Sequence, residues 1–196
     1  LGCTQVICSD KTGTLTQNKM TVMETFGLVS PLAMTMALCN DAVATGEGDG
    51  VVGEPTESAL VRFAQAQNLI KEELETEQPR VAEVPFDAKR KMMSPVHRGA
   101  DGKYIQHTKG APDELLQKCT RMLTADGIVA LTTERRAEIK RENARMAGKA
   151  LRVLAAAQRE WDELPAEISP QTLEKELIFV GLTGMIDPVR PEVKGA

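Results

Sequence analysis

The segment Asp10-Lys11-Thr12-Gly13-Thr14-Leu15-Thr16 gathers a carboxylate, a primary amine, a glycine and three hydroxyls within seven residues. An apolar, β-branched run at 4–9 (TQVICS) precedes it, the pattern of a buried strand that delivers Asp10 to its carboxyl tip. In open α/β sheets that tip is where ligands bind and chemistry occurs. A tight turn of this composition suits a phosphoryl group. The aspartate can attack phosphorus and form an acyl phosphate, while the lysine and hydroxyls hold the oxygens. On spacing alone, a polar turn capped by Asp10 is an equal alternative.

Two further places carry side chains suited to a nucleotide. Phe86 is one of six aromatic residues (four Phe, one Tyr, one Trp) and is followed by Lys89-Arg90-Lys91. An exposed ring there offers a flat face to adenine, with cations near the phosphates; ordinary strand packing is the other reading. Lys109-Gly110-Ala111 joins a cation to a glycine that lets backbone approach a ligand closely, against the plainer reading of a solvated hairpin end. Glu57 falls in the first turn of a predicted helix, where a carboxylate ordinarily complements the dipole.

Other signals lead away from chemistry. Gly48–Gly53 satisfies GxGxxG but follows a helix and a polar loop instead of a strand, so it reads as a loop, and no GxxxxGKS or GxxxxGKT occurs. His97 and His107 have no carboxylate or cysteine at metal spacing and read as packing or surface residues. Cys3, Cys8, Cys39 and Cys119 lack CxxC spacing and read as reduced packing residues.

These residues need elements to position them. The sequence predicts helices at 31–39 and 55–67, each with proline at its start and the second capped by Thr56. Strands follow at 81–86, 91–97 and 103–108, with Arg98–Gly102 as a hairpin turn. Helices come next at 112–118 and 133–148, the latter capped by Thr133 with its charged face solvated, and then a strand at 150–158 whose alanines also suit a helix. A second apolar run, 177–182 (LIFVGL), closes the series, and 4–9 and 177–182 bracket an insert. The order argues for an α+β fold with a mainly antiparallel sheet flanked by helices.

The 196 residues are 42% hydrophobic and 27% charged, the mix of a soluble globular domain with a real core. With 24 Lys and Arg against 28 Asp and Glu, the net charge of −4 gives no basic excess for nucleic acid. No run approaches the ~18 apolar residues of a membrane span. The chain opens without an initiator Met and reads as an excised piece of something longer.

Ile7-Cys8-Ser9 followed by DKTGTLT and Gln17-Asn18-Lys19-Met20-Thr21 resembles the phosphorylation motif of the P-type cation-transporting ATPases. The resemblance continues in the family's order through Gly53–Leu60, Pro85-Phe86 to Lys91-Met92, Lys109–Pro112, Leu151–Leu154 and Asp187–Arg190, and so covers nearly the whole chain. It implies a nucleotide-binding domain (17–176) inserted into a phosphorylation domain of haloacid-dehalogenase-like α/β fold, of which 1–16 and 177–196 are flanking pieces with their terminal strands. It assigns Asp10 as the phosphate acceptor, with Lys11 and Thr12 orienting phosphate, and a Mg²⁺ ion held by Asp10 and the Thr12 carbonyl. It assigns ATP to Glu57, Phe86, Lys91, Lys109, Gly110, Ala111 and Arg152, with Asp187 and Arg190 at the hinge near Asp10.

Where the related phosphatases carry a second aspartate as general acid and base, this sequence has Thr12, which should slow hydrolysis of an aspartyl phosphate. The hinge reads Asp-Pro-Val-Arg, where the family more often has Asp-Pro-Pro-Arg. The family's GDGxND and TGD segments do not occur, so the fragment is expected to bind ATP without turnover. It is expected to be a monomeric, cytoplasmic part of a membrane protein, whose partners are its own transmembrane, actuator and remaining phosphorylation domains. The flanking motifs are most similar to the type II branch with its calcium pumps. Sodium/potassium and proton pumps of that type, and a dehalogenase-like phosphatase, are the alternatives.

Overall fold

A computed structural model describes residues 16–17, 19–45 and 50–189. The elements are β1 (Thr21–Gly27), α1 (Val29–Leu38), β2 (Val43–Ala44), β3 (Val51–Val52), α2 (Pro55–Gln65), α3 (Lys71–Glu77), β4 (Arg80–Asp87), β5 (Met92–Arg98), β6 (Tyr104–Gly110), α4 (Pro112–Lys118), β7 (Cys119–Thr124), β8 (Gly127–Ala130), α5 (Thr133–Gly148), β9 (Arg152–Trp161), α6 (Pro170–Leu173) and β10 (Leu177–Ile186). The fold is α+β. Eight strands form one sheet in the order β4-β5-β6-β9-β10-β7-β8, with β1 also paired to β10. Every pairing in it is antiparallel except that of β7 with β10.

Strand β10 organises the sheet. One edge pairs with β9 along its length; on the other, Leu177–Phe179 pairs with β7 and Gly181–Ile186 with β1. Its residues are buried from Leu177 to Met185 because helices cover both faces of the sheet, which is why it reads as one unbroken apolar run. On one face, Leu32 and Met36 of α1 and Leu60 of α2 pack on Val180 and Met185. On the other, Leu115 and Leu116 of α4 with Ile139 and Met146 of α5 pack on Leu177, Phe179 and Leu182. The alanines of β9 divide the same way, Ala156 to the first face and Ala155 and Ala157 to the second, so those residues form a strand and not a helix.

The run 177–182, expected as a terminal strand of the C-terminal flanking piece, is therefore the centre of this sheet. An apolar run announces burial on two faces but does not name the neighbours that bury it; its expected companion, 4–9, lies outside the described residues. The two ends of the described chain meet. Thr16 and Val189 form an antiparallel bridge, and the Gln17 amide donates to the Pro188 carbonyl at 3.0 Å.

The caps lie one or two residues earlier than the sequence suggests. Glu54 caps α2, its carboxylate accepting from the amides of Thr56 (2.9 Å) and Glu57 (3.3 Å), because Pro55 occupies the first helical position and moves the cap ahead of itself. Thr132, not Thr133, caps α5 through the Arg135 amide. The charged α5 keeps most of its surface in solvent and buries Ile139 and Met146.

Candidate functional site

Phe86 stands near the end of β4, just before the chain turns into β5. It is 61% exposed, so strand packing does not account for it. Asp87 builds the turn: its carboxylate accepts from the amides of Lys89 (3.1 Å) and Arg90 (2.9 Å), and its carbonyl accepts from the Lys91 amide at 2.7 Å. Lys91 takes a left-handed backbone, φ 55°, which costs a non-glycine residue energy and persists only where its surroundings hold it. Here the Ala111 amide donates to the Lys91 carbonyl at 3.0 Å and stitches the turn to the end of β6.

The β5–β6 register, Met92 opposite Gly110 and Met93 opposite Lys109, brings the Lys109 strand end beside that turn. A Cβ on Gly110 would lie 2.4 Å from Met92 Cγ and 2.6 Å from the Lys91 carbonyl oxygen. The close approach that this glycine permits is thus between two strands of the protein. It serves the site by letting Lys91 and Lys109 share one wall.

The opposite wall is the N-terminus of α2. Glu57 pairs with Lys109, and both are largely withdrawn from solvent. The Glu57 carboxylate also accepts from the Asp41 amide at 3.1 Å, and the Asn40 side chain donates to the Glu57 carbonyl at 3.0 Å. Glu57 therefore ties α2 to β6 and to the loop after α1, which is more than a helix dipole asks of a carboxylate.

Between these walls lies a cavity of about 350 Å³, lined by Glu57, Phe86, Lys91, Lys109, Gly110 and Arg152 together with Glu54, Thr56, Leu60 and Leu154. An adjoining cleft of about 460 Å³ shares Glu54, Thr56 and Arg152 and runs to Thr16, Ile186 and Asp187. Arg152, at the start of β9, stands between the two and has no ion-pair partner among the described residues. One end thus presents an aromatic face and aliphatic carbon, and the other carries hydroxyls and a carboxylate, with three cations along the way. An amphipathic, polyanionic molecule of nucleotide size matches that sequence of surfaces.

The family described as P-type ATPase, cytoplasmic domain N, matches residues 29–192. The chain belongs to that family. Among curated proteins it is similar to calcium-transporting ATPase 1 of Bacillus cereus, with 42% identity over 99% of this chain and 23% of the relative. It is similar also to calcium-transporting ATPase 1 of Lactococcus lactis, 38% over 98% of this chain and 23% of the relative. The human calcium-transporting ATPase type 2C member 1 is 35% identical over 100% of this chain and 23% of the relative. The chain spans about a quarter of the length of these relatives.

Not every expected residue of this N domain lies in the cavity. Ala111 stands one step behind it as the N-cap of α4. Of the three consecutive cations, only Lys91 faces it. Lys89 and Arg90 line a separate cleft beside Lys118 and Glu174, on the other side of the turn. Asp187 lies in the adjoining cleft, accepting from the Thr16 hydroxyl at 2.5 Å and the Lys19 amide at 3.1 Å. Asp10, Lys11, Thr12 and Arg190 lie outside the described residues.

Sequence reasoning missed Glu54, Thr56, Leu60 and Leu154; the carboxylate directly before a helix-opening proline was a usable signal for Glu54. A wider cleft of about 590 Å³ between β1 and α2 is lined by Met20, Val22, Phe63 and Arg62, and by no expected site residue.

Cys39, Cys119 and the two histidines behave as packing groups, while Cys3 and Cys8 lie outside the described residues. Burial pushes the thiols of Cys39 and Cys119 up to about 12, which keeps them protonated and unreactive. His97 and His107 are buried with rings 5.4 Å apart, and burial lowers them to about 3 and about 4. Among the described residues no three His, Cys, Asp or Glu side chains converge as a metal site.

Proposed function

We propose that this N domain is the ATP-binding domain of a calcium-transporting P-type ATPase. The observation that carries the reading is the single cavity in which Glu57, Phe86, Lys91, Lys109, Gly110 and Arg152 converge from four separate stretches of chain. In it the Phe86 ring takes the adenine face, Glu57 accepts from the base's amino group, and Lys91, Lys109 and Arg152 meet the polyphosphate. The Lys109–Glu57 pair holds the two side chains on facing walls, and a bound nucleotide competes for both members.

The remaining steps belong to the parent protein. Asp10 is the acceptor of the γ-phosphoryl group, with Lys11 and Thr12 orienting it and Arg190 near the hinge with Asp187. The Asp10 carboxylate and the Thr12 carbonyl would hold Mg²⁺, which would supply charge neutralisation at the phosphate. The membrane part selects the ion. The calcium-transporting relatives support calcium as that ion; sodium/potassium or proton transport is the alternative. Among the described residues no helix is long and apolar enough to cross a membrane. We draw the edge of the nucleotide-binding domain near Ile186, beyond the expected 176, on the ground that β10 lies between β9 and β7 in the main sheet.

An ATP titration followed by amide chemical shifts, with and without Mg²⁺, tests the reading. Saturable shifts at Glu57, Phe86, Lys91, Lys109 and Arg152, weakened by Phe86→Ala and Lys109→Ala, are expected. Shifts scattered elsewhere, or none at these positions, would refute it.

A further inference from the structure

Arg90 sits between Phe86 and Lys91 in sequence yet faces away from the cavity. One guanidinium nitrogen pairs with Glu174, whose carboxylate is almost wholly buried at the end of α6; the other donates to the Pro85 carbonyl at 2.7 Å, directly behind Phe86. The Ser94 hydroxyl reaches the same Glu174 oxygen at 3.4 Å and Thr108 at 3.0 Å. Gln106 extends the contacts, donating to Thr108 and the Leu173 carbonyl, each at 2.9 Å, and accepting from the Trp161 indole at 3.1 Å. A buried ladder of polar groups thus runs across β5, β6 and β9 on the sheet face opposite Lys109 and Glu57.

A buried ion pair contributes little net stability, because desolvation offsets the attraction, but it fixes geometry and is costly to break on one side only. This pair fixes the one turn that presents both an exposed ring and a strained lysine to the cavity.

We propose that Arg90 and Glu174 are positioning residues for nucleotide, clamping the 85–91 turn from outside the cavity so that Phe86 and Lys91 are held ready to bind. The proposal rests on the nucleotide reading above. Its test is ATP affinity of the full 196-residue chain, with hydrogen exchange of the 87–91 amides and thermal stability measured alongside. Glu174→Gln should weaken ATP about tenfold and speed exchange in the turn. The double variant Arg90→Met, Glu174→Met, which leaves no buried charge unpaired, should regain the stability lost by Glu174→Gln without regaining affinity. A purely structural role would restore both.

Lys175→Gln, a neighbouring exposed cation, should bind ATP as the unaltered chain does. If the double variant folds, protects its turn and binds ATP with unchanged affinity, the clamp is refuted while the cavity stands. If the unaltered chain itself shows no saturable binding at Phe86, the nucleotide reading has failed instead. Should Glu174→Gln not fold, the double variant alone decides.

Discussion

Acid should loosen this domain through two particular imidazoles. His97 and His107 face each other from β5 and β6; His107 Nδ1 lies 3.2 Å from the Thr35 hydroxyl, and Arg80 and Lys71 add unfavourable charge around His97. Burial keeps both neutral, with folded-state values of about 3 and about 4 against about 6.5 in an unfolded chain. A group whose proton is bound more tightly by the unfolded state favours unfolding as pH falls. The contribution is therefore intact above about pH 6.5 and is lost progressively as the pH falls toward the folded-state values. At pH 5.5 each unfolded imidazole is mostly charged while its folded counterpart is not, a loss of about 1.4 kcal/mol apiece, or about 2.7 kcal/mol for the pair relative to pH 7.5.

Urea unfolding at the two pH values measures that difference, and the double variant His97→Leu, His107→Gln removes it while leaving every carboxylate in place. The unaltered chain should lose about 2.7 kcal/mol more than the variant between pH 7.5 and 5.5, a midpoint shift of about 1 M urea. Parallel losses in the two proteins would refute the assignment. The consequence reaches the site, because Lys109 follows His107 by two residues on the same strand.

Three further outcomes follow from the geometry. Phe86→Ala removes an exposed ring that supports no core, so ATP affinity should fall by roughly 1–3 kcal/mol in calorimetric titration while the melting temperature stays put. Gly110→Ala forces a Cβ into Met92 and the Lys91 carbonyl, and should cost about 1–3 kcal/mol in denaturant unfolding; a neutral result would mean that β5 and β6 can part there freely. Glu54→Ala deletes the carboxylate capping α2 and should lower the melting temperature by about 3 °C, whereas Thr133→Ala should leave it unchanged.

Local chemistry was legible in the sequence; long-range pairing was not. The prolines opening α2 and α4, the β5–β6 hairpin and the charged α5 all carry their signals within a few residues, whereas α1 begins at Val29, two residues before the Pro31 expected to open it. So does the contrast between a sparse aromatic and the cations after it, which singled out Phe86. Strand β1 escaped because its hydrogen-bonding partner, β10, lies some 160 residues along the chain and its own alternation is weak. The β7–β8 hairpin escaped despite a usable Asp126-Gly127 turn signal, and α3 because its sequence, KEELETE, is charged and only seven residues long. Arg90 could not have been separated from Lys91 by composition. Adjacent cations in a tight turn diverge, and only the turn decides which one meets a ligand.

The central strand is also the last long element among the described residues, and that sets a timetable. Before Leu177–Ile186 leaves the ribosome, β4, β5, β6 and β9 can assemble as one ribbon and β7 with β8 as another, but no strand joins them, and β1 has no partner in the main sheet. A nascent chain halted near residue 175 would therefore present the open edges of β9 and β7, a form suited to chaperone capture and to unwanted strand exchange. Arrival of β10 would complete the sheet in a single late step. Folding of this domain should thus be gated by the synthesis of its final ten-residue strand, and protease resistance on stalled ribosomes should rise abruptly only after Ile186 has emerged.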